Sequence, residues 1–387
     1  MIPLFTKIYI YMPKFVCLTI LWIIPEFARA AGMSLAVASS YTYDSNVFRS
    51  SSNAEASQYY QIQPSASASF NISKLIFQGS YGGRFAFYKD YPENNSEDLS
   101  GTGSVSWKST GRVKFGVDMG YSNAALPRES IFTSVSKSDQ LENSEQANLS
   151  VSSAFPVINN KYDLQLLAGI SDQNFNGADA ESKNKYQGQT SAELSYRYSG
   201  KTSMVYGYKT NINSLKSEFY RSFGFTSHGL YMGMNWLTSG KTSSHANIGY
   251  EFLSFSGPET SSYGGLTIDL SATWERKSYS KVNLSISRSS KDSIFYGTGF
   301  VVVNQFILGL SHSLTSRWSA GTGLEFYAYQ SHSEYRHIGG SLGLSTRYSM
   351  RWLSVGFNTG YQHRYSLVGD DSHFTGYTMT VELRIAY

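Results

Sequence analysis

The sequence has 387 residues with a formal net charge of +4, 34 glycines, 30 tyrosines and only 8 prolines. A charge so close to neutral gives no basic surface for nucleic acid, and a single cysteine, Cys17, excludes a disulfide framework. After residue 30 no apolar stretch is long enough to span a bilayer as a helix. The composition therefore leaves a β-rich chain, either soluble or crossing a membrane with strands.

Residues 1–30 have the organisation of a secretory signal peptide. Two lysines precede the apolar run 15–24, and the segment 28–30, Ala-Arg-Ala, supplies a small-residue cleavage site. The sequence therefore predicts Sec-type export followed by cleavage after residue 30. Because Cys17 lies in this leader, we expect the mature chain to have no thiol and no cysteine metal site.

From residue 31 to 387 the chain alternates between period-2 segments and polar connections. Eighteen such segments follow one another, joined by connections that are alternately short and long. Bacterial outer-membrane barrels have an even number of strands, brief periplasmic turns and longer external loops. The pattern predicts one domain, an all-β transmembrane antiparallel up-and-down barrel of about eighteen strands, with both termini periplasmic.

The last segment, 377–387, alternates strictly and ends on an aromatic residue. The strands of a soluble sandwich alternate in the same way, so this segment alone does not decide between the two. The leader, the strand spacing and the tryptophans, which lie beside the short connections as in a membrane interface belt, favour the membrane. We interpret its apolar face as a signal for the barrel assembly machinery and as a contact for outer-membrane lipid: Tyr377, Val381, Leu383, Ile385 and Tyr387.

Because side chains alternate across a strand, each segment also has a polar face that is predicted to point into the lumen. The charged residues predicted there are Arg84, Lys114, Asp118, Asp163, Glu193, Arg197, Lys209, Glu251, Asp269, Glu325, Arg347, Arg364, Glu382 and Arg384. The aromatic residues predicted there are Tyr88, Tyr231, Tyr327 and Tyr329. A barrel of this size encloses an aqueous channel.

The lumen composition suits a sugar chain, which hydroxyl, amide and aromatic side chains hold through many weak contacts. Any water-filled barrel is polar inside, so this lining alone does not identify the cargo. Connection 124–143 is the longest and carries apolar side chains that predict a constriction loop, with an external cap as the alternative: Leu126, Ile131, Phe132 and Val135.

Residues that could carry out catalysis or bind a metal form no convincing cluster. Asp370, Asp371 and His373 lie together near the last long connection, but no second acidic pair matches them at a barrel rim. The histidines lack the spacing of zinc ligands. We therefore expect no enzyme activity, no metal and no cofactor.

The first hairpin reads Tyr43, Asp44, Ser45, Asn46, Val47, Phe48, Arg49. This stretch resembles the opening hairpin of a β-barrel porin family that is found with exopolysaccharide gene clusters. The resemblance implies an outer-membrane barrel for polysaccharide secretion that works with a periplasmic polysaccharide-export protein. It implies no catalytic or binding residue, because Asp44 and Asn46 suit a turn and Phe48 suits a rim contact.

Three functions agree with these patterns. The first is a passive outer-membrane conduit for an extracellular polysaccharide. The second is a general or substrate-selective porin for small solutes, and the third is a surface lectin barrel that anchors polysaccharide without passing it.

Overall fold

The computed structural model describes residues 32–51, 54–109, 113–126, 142–157, 161–176, 183–217, 222, 224–239, 241–257, 262–276, 279–293, 299–331, 334–367 and 373–386. The predicted signal peptide and most of connection 124–143 lie outside these residues.

The structure consists of strands that run the length of the chain. Their bounds are β1 Met33–Asp44, β2 Ser57–Ile72, β3 Leu75–Tyr88, β4 Ser96–Lys108, β5 Lys114–Ala125, β6 Asn143–Val157, β7 Tyr162–Asn176, β8 Lys185–Arg197, β9 Thr202–Leu215, β10 Phe225–Ser239, β11 Thr242–Phe255, β12 Tyr263–Arg276, β13 Ser280–Ser293, β14 Gly299–Ser313, β15 Trp318–Ser331, β16 Glu334–Ser349, β17 Leu353–Ser366 and β18 Phe374–Ala386. A single 3-10 turn, Pro92–Asn94, separates β3 from β4.

The sheet closes on itself. Each strand pairs antiparallel with the next along the chain, and β18 returns to pair with β1, with Tyr41 opposite Val381. Closure gives every strand two neighbours, so no backbone edge faces a hydrocarbon environment that could not hydrogen-bond it. This closed antiparallel barrel of eighteen strands confirms the predicted all-β architecture and strand number.

The alternation in sequence becomes two distinct faces of the wall. In β18, Tyr377, Val381 and Leu383 are exposed on the outer face, whereas Thr380 and Glu382 alternate with them and are half-buried on the inner face. The same register carries around the barrel, because residues paired across strands point to one side of the sheet. Of the described residues, none belongs to a helix long and apolar enough to cross a membrane.

Tryptophans mark one end of the barrel. Trp236, Trp274 and Trp352 are exposed near the short connections, and two other indoles pack against aromatic neighbours there. Those two contacts join Trp107 to Phe115, with ring centroids 5.7 Å apart, and Trp318 to Tyr348, at 5.0 Å. We call this the short-turn end and the opposite one the long-loop end.

The connection between β13 and β14 is shorter than the composition of the sequence indicates. Residues 289–299 have the polar composition of an external loop, but β13 continues to Ser293 and β14 begins at Gly299. The β13–β14 hairpin therefore extends as paired strands beyond the point where β13 leaves β12. Pairing with β12 stops at Ile268 and Arg288, while pairing with β14 continues to the end of β13.

Candidate functional site: the barrel lumen

The barrel register places all the charged residues predicted for the lumen on the inner face. They are Arg84, Lys114, Asp118, Asp163, Glu193, Arg197, Lys209, Glu251, Asp269, Glu325, Arg347, Arg364, Glu382 and Arg384. Arg364 and Glu251 are buried near the long-loop end, whereas Lys114 and Arg384 are exposed toward the short-turn end.

Several of these charges neutralise one another across neighbouring strands. Arg84 forms an ion pair with Asp98, which stands opposite it in the register, and Arg197 forms one with Asp163. A third pair skips a strand: Arg347 Nη2 lies 3.0 Å from Glu382 Oε1, with Gly356 between them in the register. Because opposite charges lie within hydrogen-bond distance, each of these pairs largely cancels its own charge at its place on the inner face.

Neutral side chains hold other charged residues of the inner face. Tyr231 donates its hydroxyl to Glu193 Oε2 at 3.0 Å, and its ring leaves no room for a side chain at Gly207. Gln305 Nε2 donates to Glu325 Oε1 at 2.6 Å. These carboxylates are therefore oriented along the wall by amide and phenol groups.

The tyrosines predicted for the lumen also lie on the inner face, and three of them, Tyr88, Tyr327 and Tyr329, occur in aromatic pairs. Tyr88 packs on Tyr59 with ring centroids 4.7 Å apart, and Tyr327 stacks on Tyr329 at 5.1 Å. Tyr59 was missing from the sequence prediction, although its parity in β2 places it beside Gln61 on the polar face.

A second feature missed by the sequence prediction is a group of carboxamide side chains that we call the amide wall. They occupy alternate positions on three strands, so the register brings them together on the inner face. Its residues are Gln146 and Asn148 of β6, Gln187 and Gln189 of β8, and Asn211 and Asn213 of β9. The signal was present in the sequence as three amide pairs, each spaced by two residues.

The described residues at the end of the β13–β14 hairpin, 289–293 and 299–303, lean into the lumen, and we call them the hairpin tip. Phe300 and Val302 occupy the same alternating positions of β14 as the outward-facing Phe306 and Leu310, yet both are only 2 % exposed. The ring of Phe300 lies 4.6 Å from that of Tyr263 and 5.6 Å from that of Phe255, which belong to the inner face of β12 and β11. The outer side of the hairpin tip therefore packs on the inner side of the barrel wall, and the tip narrows the passage.

The two ends of the predicted constriction loop are joined by a backbone hydrogen bond. Leu126 donates its backbone N–H to the carbonyl of Glu142 at 2.7 Å, which holds the base of the connection together. Ile131, Phe132 and Val135 lie outside the described residues.

The family-like stretch after β1 forms a buried polar structure that we call the clasp, residues 44–50. Asp44 accepts a hydrogen bond from the backbone N–H of Asn46 at 3.0 Å and pairs with Arg49, whose Nη1 lies 2.8 Å from Asp44 Oδ1. Asn46 is 1 % exposed and donates its Nδ2 to the carbonyl of Thr375 in β18 at 3.0 Å. Arg49 adopts a φ of 54°, a left-handed conformation that costs energy for a residue with a side chain.

Aromatic contacts anchor the clasp to its surroundings. The centre of the Phe374 ring lies within cation–π distance of two guanidinium groups, 5.0 Å from that of Arg364 and 5.8 Å from that of Arg49. At the rim, Phe48 meets Tyr91 edge to face with centroids 4.8 Å apart. The hydroxyl of Tyr91 donates to Glu55 Oε2 at 2.5 Å, and this bond raises the pKa of Tyr91 to about 12, so the phenol remains a donor at neutral pH.

The residues predicted as an assembly signal lie along β18. Tyr377, Val381 and Leu383 are exposed on the outer face, and Ile385 stands opposite Val37 of β1. Tyr387 lies outside the described residues. Within the part of the chain that is described, no group of three or more His, Cys, Asp or Glu side chains could hold a metal ion.

A closed barrel with an apolar outer face, an aromatic end and a hydrophilic interior defines an outer-membrane β-barrel of the porin type. The chain belongs to the family described as "Putative beta-barrel porin 2", whose model matches residues 34–387. No curated protein matches the sequence.

Solved structures of outer-membrane proteins are similar to this chain at low sequence identity. OccK2 (OpdF) of Pseudomonas aeruginosa is 12% identical with a TM-score of 0.51, over 92% of this chain and 98% of that one. The outer membrane protein OpdK of Pseudomonas aeruginosa is 10% identical with a TM-score of 0.49, over 92% and 99% of the two chains. The siderophore receptor PirA of the same organism is 11% identical with a TM-score of 0.47, over 92% and 80%. At these identities the likeness is one of fold alone.

Proposed function

We propose that this barrel is an outer-membrane conduit through which an extracellular polysaccharide leaves the cell. The observation that carries the proposal is the chemistry of the inner face, where charges are paired across strands and amide and hydroxyl groups cover the wall between β6 and β10. Sugar hydroxyls exchange weak hydrogen bonds with such groups. A polymer can therefore move along the wall without being held by a strong field of one sign.

Transport in this proposal is passive, and its direction is set by polymer synthesis or by a periplasmic polysaccharide-export protein. The partner would dock on the short-turn end, where Lys74, Lys201, Lys241 and Arg351 are exposed. Basic side chains on brief turns suit an acidic surface on the partner, because exposed opposite charges steer association.

The proposal includes a route to the membrane. Residues 1–30 would direct Sec-type export and be removed, and the outer face of β18 would be recognised by the barrel assembly machinery before insertion into outer-membrane lipid. Both termini would then face the periplasm. Amino-terminal sequencing of the protein purified from outer membranes tests the first step, and the expected first residue is Ala31.

Deletion of the gene tests the conduit, with polysaccharide measured separately in the periplasm, on the surface and in the medium. We expect polymer to accumulate in the periplasm and to return to the surface when the wild-type gene is restored. Normal amounts outside the deletion strain would rule out the conduit. Polymer that reaches the medium but no longer stays on the surface would point to the anchoring lectin instead.

A selective porin for small solutes is the second candidate, and the hairpin tip favours it because it narrows the passage. Uptake of small radiolabelled sugars by the deletion strain separates the two functions. A porin predicts slower uptake with normal polymer export, whereas the conduit predicts the reverse.

A further inference from the structure

A cavity of about 510 Å³ lies against the inner face between the amide wall and the hairpin tip. Its lining contains all six amides of the wall, with Ser227 and Glu251 at one side and Ser290 and Lys291 of the hairpin tip across from them. Its volume falls within the range of about 300–1,000 Å³ that is usual for small-molecule sites. We propose that this cavity is a binding subsite for an uncharged sugar segment, an inference that deepens the proposed function and rests on it.

Two buried acceptors beside the cavity lack partners. Asn213 Oδ1 and Glu251 Oε2 are shielded from solvent and accept no hydrogen bond from the described residues, and their side chains belong to residues only 6 % and 4 % exposed. A buried polar atom without a partner costs free energy, so native proteins satisfy nearly all of them. Both atoms are acceptors on residues that line the cavity, and a sugar hydroxyl is a donor of the kind that they lack.

The amides are arranged to meet neighbouring hydroxyls. Gln189 stands opposite Asn211, and Gln187 stands opposite Asn213, so four carboxamides form a square on two adjacent strands. Opposed side chains start about 5 Å apart, and each carboxamide both donates and accepts. Such a square can hold adjacent hydroxyls of one sugar ring, each of which also donates and accepts.

Hydrogen bonds to neighbouring serines already orient two side chains of the amide wall. Asn211 Nδ2 donates to Ser227 Oγ at 3.1 Å, and Gln146 Nε2 donates to Ser171 Oγ at 3.3 Å. These bonds fix one end of each amide and leave its other polar atom available. A fixed side chain loses less conformational entropy when a ligand binds.

The charge of the cavity favours an uncharged ligand. Its lining includes one carboxylate, Glu251, and one ammonium group, Lys291, so the two formal charges cancel. A sugar acid would need a cation for each carboxylate that it buries, because an unpaired buried charge is costly. Phe225, at the edge of the cavity, adds an apolar surface for the C–H face of a ring.

Single-channel recording of the full barrel in a planar bilayer tests the subsite. The probes are maltohexaose, an uncharged glucose oligomer, and hexagalacturonate, a carboxylated oligomer of the same length. We expect maltohexaose to block the current for longer than hexagalacturonate does. A barrel that maltohexaose does not block, or blocks no longer than the acidic probe, would overturn the subsite.

The double variant Gln189→Ala with Asn211→Ala locates the site. Its block by maltohexaose should shorten about tenfold, the effect of losing two neutral hydrogen bonds. The matched control is Gln61→Ala with Gln63→Ala, two inner-face amides on β2, which should leave the block unchanged. Equal residence times in the wild type and the β8–β9 variant would contradict the proposal.

A gain-of-function variant distinguishes loss of the subsite from loss of folding, because a misfolded barrel would not gain a new block. Asn211→Lys adds a cation to the square, so hexagalacturonate should now block for longer than in the wild type. Failure of this reversal in a channel of normal conductance would count against the subsite.

The deletion strain tests the conduit separately. If the barrel binds maltohexaose but the deletion strain exports polysaccharide normally, only the export function is refuted.

Discussion

Two strand pairings in the barrel wall differ in how far apart their strands are in the sequence and in which side-chain contacts accompany them. At the seam, β1 and β18 belong to opposite ends of the chain and meet from Ala36 to Asp44. At the junction, β12 and β13 are joined by a short connection, yet their pairing covers only Ile268–Arg276. The seam continues at the long-loop end into the buried clasp, whereas the junction gives way to the inward-leaning hairpin tip.

Proximity along the chain therefore does not decide which strand pairing receives additional side-chain contacts. The seam has no covalent link, and buried polar contacts of the clasp take its place: Asn46 bonds to Thr375, and Ser45 Oγ accepts from the N–H of Tyr377 at 2.8 Å. At the junction, one side-chain bond crosses above the last register pair, from Arg288 Nε to the carbonyl of Leu266 at 3.2 Å. We therefore expect the seam to govern global stability and the junction to govern the passage.

Loss of the clasp carboxylate should have the largest effect. Asp44→Ala removes the acceptor of both Arg49 and the Asn46 N–H inside a buried site, so the free energy of unfolding should fall by about 3 kcal/mol or more. Urea unfolding in detergent, followed by tryptophan fluorescence, measures it. Asp118→Ala, an exposed inner-face aspartate, is the control and should change stability by less than about 0.5 kcal/mol. Equal effects of the two changes would show that the clasp does not stabilise the seam.

Loss of the ring that holds the hairpin tip comes next. Phe300→Ala removes the contacts with Tyr263 and Phe255, a truncation worth about 3 kcal/mol that acts on local opening of the tip. Single-channel conductance should rise as the tip leaves the lumen. Phe306→Ala on the outer face of the same strand should leave conductance unchanged. An unaltered conductance in the Phe300 variant would contradict the inward packing of the tip.

The smallest effect is expected for the bond that crosses the junction. Arg288→Ala removes the donors to Leu266 and to Asn304 Oδ1, which lies 2.6 Å from Arg288 Nη1, so stability should fall by about 1 kcal/mol. Urea unfolding provides the value. Arg276→Ala, at the exposed short-turn end of β12, serves as the reference and should cost less. A larger loss at Arg276 would mean that the junction is held elsewhere.

The strands and their faces could be predicted from the sequence because one physical rule governs them all. A wall with hydrocarbon outside and water inside requires apolar and polar side chains to alternate, and β18 does so without interruption from Tyr377 onward. Parity then placed residues such as Arg84 and Glu193 on one face without any knowledge of their partners.

Contacts between distant segments could not be predicted in this way. The turn chemistry of Asp44 and Asn46 is visible in the sequence, but their contact with Thr375 depends on closure of the seam. The run Phe300-Val301-Val302-Val303 is apolar at successive positions, which indicates burial on both faces but not which surface covers it. Only the bend of the hairpin tip shows that the covering surface is the inner wall.

The most direct test of the account is to obstruct the lumen and locate the polymer. The variant Ser191→Cys places a cysteine on the inner face of β8, where it is labelled with a bulky maleimide, and Ala192→Cys on the outer face is the control. The sequence has one cysteine of its own, Cys17, which lies in the predicted leader. The account predicts that labelling at residue 191 stops both the ionic current and the delivery of polysaccharide to the surface, while labelling at residue 192 stops neither. Normal delivery through a barrel whose current is fully blocked would contradict it.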